Sequence, residues 1–94
     1  MQNPKEQLEA IRQEIDAVDA EILTLFVRRM ALADRVADIK ESAHLPIMDN
    51  AREREILDRA GDMAGGELRA GAMELMSLLM ALSRRRQEKR ITTN

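Results

Sequence analysis

The chain has no cysteine, tryptophan or tyrosine, and its 94 residues include one phenylalanine, two prolines and four glycines. Without cysteine there is no disulfide framework, no thiolate metal site and no cysteine nucleophile. A zinc site would have to lean on His44 alone, so no metal is expected. So few aromatic, proline and glycine residues argue against a β-sandwich or a nucleotide-binding α/β domain, which need strand formers and turn residues in number. No run approaches the roughly 18 apolar residues of a membrane span, and the opening MQNPKEQLEAIRQE lacks the basic region and apolar core of a secretory signal. A cytoplasmic protein with no membrane partner is expected. An excess of one charge is missing too: 15 Lys and Arg against 17 Asp and Glu leave a formal net charge of -2, which gives nucleic acid no overall attraction. The cluster Arg84, Arg85, Arg86, Lys89 and Arg90 reads as a solvated helix end favoured by the helix dipole, and no nucleic-acid partner is expected.

What remains is a composition of helix formers, 45% apolar and 34% charged, in a chain long enough for one domain, residues 1–94. From Lys5 to about Ser42 there is neither Pro nor Gly. Leu8, Ile11, Ile15, Val18, Ile22, Leu25, Arg29, Leu32, Val36 and Ile39 recur there at alternating spacings of three and four, a coiled-coil-like seam on one helix. Such a helix runs to roughly 50 Å, beyond what a small domain covers. It should fray through Ser42 to His44, because Pro46 disfavours helix at Leu45. Asp49 then caps a second helix carrying Ile56, Leu57 and Ala60 inward, with Gly61 and Gly65-Gly66 bracketing a connector. A third helix bears a dense apolar segment from Met73 to Leu82, which implies burial on more than one face, and the methionines read as core filler. The expected fold is all-α, with helices at about 5–42, 49–60 and 67–90. Because two short helices cannot cover the first, an intertwined helical homodimer is expected.

Nine of the ten seam positions are aliphatic and the tenth is Arg29. A guanidinium on a buried stripe needs an anion, whether a core carboxylate or a ligand, unless it snorkels to the surface. Lys40, three turns on, projects from nearly the same side. Asp49, Arg52 and Glu53 open the second helix, and Ser83 and Gln87 stand at i and i+4 on the third. Each has an ordinary explanation: Asp49 as a cap, Arg52 and Glu53 as a solvated face, Ser83 as a hydroxyl bonded to its own helix. Together they could line a pocket for a small multiply charged anion such as a dicarboxylate, since arginine forks suit carboxylates and lysine adds a point charge. Arg12 lies about 25 Å from Arg29 along the same helix. The two could share one small ligand only across a two-fold axis.

Over nearly its full length the chain resembles the all-helical class of chorismate mutases. The segment IRQEIDAVDAEILTLFVRR is similar to the first-helix signature of that class, VADIK to the segment around its catalytic lysine, PIMDNAREREIL to the start of its second helix, and LMALSRRRQ to its third-helix signature. The resemblance implies an intertwined dimer with two sites and no cofactor, converting chorismate to prephenate by a Claisen-type rearrangement in aromatic amino acid biosynthesis. It places Arg12 in the partner's site, Arg29 on a substrate carboxylate, Lys40 and Gln87 at the ether oxygen, Ser83 on a carboxylate, and Glu53 at the ring hydroxyl with Arg52 and Asp49 beside it. Three alternatives stay open: a mutase acting on 4-amino-4-deoxychorismate, an isochorismate pyruvate lyase, and a helical dimerisation module without turnover.

Overall fold

A computed structural model of the chain describes residues 3–93, which form three α-helices and a short 3-10 turn, with no strand among them. Helix α1 spans Pro4–Ala43, α2 spans Asn50–Ala64, and α3 spans Arg69–Thr93 after the turn Gly66–Leu68. The first helix starts where Asn3 accepts a hydrogen bond from the Glu6 amide, 2.8 Å, with Pro4 at the first helical position. Both features satisfy or remove donors that the helix itself leaves unpaired. It ends at His44, which adopts the left-handed conformation, φ 56° and ψ 40°, ahead of Pro46. Forty residues at 1.5 Å each give about 60 Å, nearly the whole 63 Å long axis of the molecule.

Helix α3 lies between the other two. Small residues of α1, Ala33 and Ala37, are 5% and 0% exposed and let α3 approach closely. Beside them runs a ladder of ion pairs: Arg86 grips Asp34 through two hydrogen bonds of 2.7 and 3.0 Å, and Arg90 grips Asp38 through two of 2.8 and 3.0 Å. Because 34 pairs with 86 and 38 with 90, the C-terminal halves of α1 and α3 run parallel. The guanidinium hydrogen bonds hold both carboxyls below the usual carboxylate range. The arginine-rich end of α3 is therefore an anchor to α1 as well as a solvated helix end: Arg86 and Arg90 stay 51% and 39% exposed while they pair.

Helix α2 packs antiparallel to α3 and turns Ile56, Leu57 and Ala60 to partly covered positions. It runs four residues past the expected end. Gly61 does not stop it; Gly61 is a buried helical position against which the Arg69 side chain lies, and a Cβ there would come within 2.9 Å of the guanidinium carbon. Arg69 then pairs with Asp62 at 2.9 Å. The connector shrinks to Gly65, whose φ of 64° favours glycine, and the 3-10 turn, so α3 begins at Arg69 and continues beyond Arg90.

The core of the single chain is small. Met80 is 5% exposed and fills the core, with Met30, Met73 and Met76 partly covered, but Met63 is 80% exposed, and Leu75 and Leu78 stay about half exposed, so methionine filling holds only in part and burial on several faces does not hold within one chain. Residues 3–25 are exposed throughout, and the seam residues Leu8, Ile11, Ile15, Val18, Ile22 and Leu25 are each half exposed or more.

Candidate active site

Where α1, α2 and α3 converge they enclose a cavity of about 270 Å³. One stripe of α3, Met80, Ser83, Arg84 and Gln87 at i, i+3, i+4 and i+7, forms one wall. Arg29, Val36 and Lys40 of α1 face it, and Asp49, Arg52 and Glu53 come from the first turn of α2. The structure thus brings seven of the eight sequence-selected residues together. The eighth, Arg12, lies in the exposed N-terminal half of α1 and does not line the cavity of its own chain.

The polar groups are held by the elements that carry them. Asp49 caps α2, accepting from the Arg52 amide at 3.0 Å, so its ordinary role as a cap and its place in the cavity coincide. Lys40 stands in the last turn of α1 and donates from Nζ to the Ile47 carbonyl. Arg29 meets no carboxylate among the described residues; its Nη1 donates to the Leu79 carbonyl at 3.4 Å. That leaves most of its five N–H donors for a ligand. Gln87 is 6% exposed, donates from Nε2 to Ser83 Oγ at 3.2 Å, and has a buried Oε1 without a partner. Unpartnered buried polar atoms are uncommon in native structures, and each calls for a partner or a role beyond packing. Arg52 bends away to pair with Glu55 at 3.1 Å.

Arg84 was missed by the sequence reading, which grouped it with the solvated arginines. It pairs with Glu53 across the cavity wall. The signal was present: Arg84 lies three residues before Gln87 and four after Met80, on the stripe that carries Ser83. The cavity therefore holds four cationic side chains, Arg29, Lys40, Arg52 and Arg84, against two anionic ones, Asp49 and Glu53, a net charge suited to a small anion bearing two carboxylates.

Comparison with known proteins agrees with this chemistry. A family model described as chorismate mutase type II matches residues 11–88. A chorismate mutase of Methanocaldococcus jannaschii is 46% identical over 54 residues, 57% of this chain and 54% of that protein. A bifunctional chorismate mutase/prephenate dehydratase of Aquifex aeolicus is 48% identical over 54 residues, 57% of this chain and 15% of that protein. A 3-dehydroquinate dehydratase of Pyrobaculum aerophilum is 38% identical over 55 residues, 18% of its length. The chain spans about half the length of the first of these relatives and less than a fifth of the other two. No solved structure matches. With the family match covering every residue of the cavity, the chain belongs to the chorismate mutase type II family.

Proposed function

We propose that the protein is a chorismate mutase acting as an intertwined homodimer. The observation that carries the reading is the convergence of Arg29, Lys40 and the buried Gln87 on one cavity. In the rearrangement the ether C–O bond breaks as a C–C bond forms, in one pericyclic step without a nucleophile. Negative charge develops on the ether oxygen. Lys40 meets it with a positive charge, and the second Nε2 hydrogen of Gln87, the one not given to Ser83, meets it with a neutral donor; fixed donors of this kind act where charge appears in the transition state. Arg29 holds one carboxylate, Ser83 orients a carboxylate, and Glu53 accepts from the ring hydroxyl beside Arg52 and Asp49. Fixing the enolpyruvyl arm over the ring supplies the orientation that the flexible substrate lacks.

The second carboxylate requires Arg12 from a partner chain. Two measures of shape support a dimer. The accessible surface, 7589 Å², exceeds by about 2,000 Å² the roughly 5,500 Å² of a compact monomer of this mass. The radius of gyration is 17.8 Å, against about 12 Å for a compact chain of this length. The uncovered seam from Leu8 to Leu25 is the surface that an antiparallel α1 of a second copy would bury, and that arrangement brings Arg12 to the partner's cavity.

The test is loss of chorismate, followed by absorbance with purified protein, with 4-amino-4-deoxychorismate and isochorismate assayed in parallel. Conversion of chorismate to prephenate is expected, with little turnover of the other two. No turnover of chorismate would overturn the reading, and preference for either analogue would reassign the substrate.

A further inference from the structure

The Arg84–Glu53 pair sits inside the cavity rather than on a solvated face. Its side chains are 28% and 23% exposed, whereas Arg52 at the cavity rim and the Glu55 it pairs with are 52% and 54% exposed. The two carboxylates of the cavity are also held differently. Asp49 is tied to a backbone amide at the start of α2. Glu53 has Arg84, from the opposite helix, as its side-chain partner. A sheltered carboxylate without a counter-charge repels an arriving anion, and the surrounding protein screens that repulsion less than water does.

We infer that Arg84 is a positioning and charge-masking residue: it neutralises Glu53 and fixes its orientation, so that a cavity containing a carboxylate admits a dianion. This rests on the proposed binding of a dicarboxylate. Arg84 acts through Glu53 and not by touching the ligand. Its removal therefore weakens binding while sparing the chemical step, and the loss disappears when Glu53 carries no charge.

The experiment is a cycle of four proteins, the parent, Arg84→Ala, Glu53→Gln and the double variant, with Arg84→Lys as a fifth. kcat and KM for chorismate are measured in each, and circular dichroism melting checks that each is folded. Arg84→Ala should raise KM about tenfold with kcat within about twofold, in the range of coupling between charged neighbours. Arg84→Lys, which keeps the charge, should retain most of the affinity. With Glu53→Gln already present, Arg84→Ala should change KM by less than about twofold. The same tenfold loss in both backgrounds would mean that Arg84 meets the ligand directly, and an unchanged KM in the first would mean that it masks nothing; either overturns the inference. Calorimetric titration with trans-1,2-cyclohexanedicarboxylate runs the same cycle without turnover. A parent that binds this dicarboxylate but leaves chorismate unchanged overturns the mutase reading alone. A parent that does neither overturns both.

Discussion

The proposed division of each site between two chains can be tested by subunit complementation, with the expectations that follow from it. In Arg12→Ala every site keeps Arg29 and loses the partner's arginine; in Arg29→Ala the reverse holds. Loss of a charge-assisted contact to a desolvated carboxylate costs about 2–5 kcal/mol, so each variant should fall to about 3% of parent kcat/KM or lower. Equal amounts of the two, unfolded together and refolded, assort into about half heterodimers, and each heterodimer has one site with both arginines and one with neither. The mixture should therefore recover about a quarter of parent activity, well above the sum of the inactive homodimers. The number follows from geometry, because Arg12 stands outside the cavity of its own chain while Arg29 lines it. If Arg12 served its own chain, every site in the heterodimer would lack one arginine and nothing would be recovered. Differently tagged variants captured in sequence show that heterodimers formed, and their presence without recovered activity would refute the shared site.

Three further outcomes are expected. In the proposed reaction Gln87→Glu would put a carboxylate where a neutral donor faces the developing charge, so kcat/KM should fall about 100-fold or more at pH 8 and recover as pH drops and the introduced carboxyl protonates; a profile parallel to the parent's would remove Gln87 from the ether oxygen. Asp34 and Asp38 are held below their usual 3.8 by hydrogen bonds from Arg86 and Arg90, so the stability they confer is complete above that value and is lost as pH falls through their lowered folded values. Urea midpoints followed from about pH 5 to 2 should drop in the parent and drop less in the Asp34→Asn, Asp38→Asn variant. Ala37→Leu should cost about 1–3 kcal/mol in urea unfolding by forcing bulk into the closest approach of α1 and α3, because Ala37 is 0% exposed.

The long helix was legible from the seam, since a three-four repeat without Pro or Gly leaves few other structures, and the cap at Asp49 and the end of α1 ahead of Pro46 followed from local chemistry, although α1 stays regular to Ala43 and closes on a left-handed His44 where fraying was expected. The cavity was legible wherever a polar residue interrupted an apolar stripe, as at Arg29, or shared a helical face, as Ser83 does with Gln87. Two things were hidden because they depend on a neighbouring helix. Gly61 has the residue type of a stop, and only the Arg69 side chain laid over it shows why the helix continues. Arg84, Arg86 and Arg90 are alike in sequence yet go separately to Glu53, Asp34 and Asp38. The partners of a surface-type residue are set by packing, which the pattern of one helix does not contain. The seam also showed which side of α1 seeks cover, but not that α3 docks instead on Ala33 and Ala37.

The position of α3 between two helices has a consequence in time. Its contacts with α2 close spans of seven residues from Asp62 to Arg69 and 31 from Glu53 to Arg84, whereas its ladder to α1 closes spans of 52 residues. Closing a 52-residue loop costs about 1.8 kcal/mol more than closing the seven-residue tip at Asp62 and Arg69, and from that tip the α2–α3 pair can zip toward Glu53 and Arg84, so the α2–α3 hairpin is the natural first structure on the way to the folded chain. Helix α1 then arrives as a separate event, and with it come Arg29 and Lys40. The wall bearing Glu53, Arg84 and Gln87 is assembled before the cations of α1 that complete the site. During refolding, helical signal should return ahead of the capacity to bind an anion.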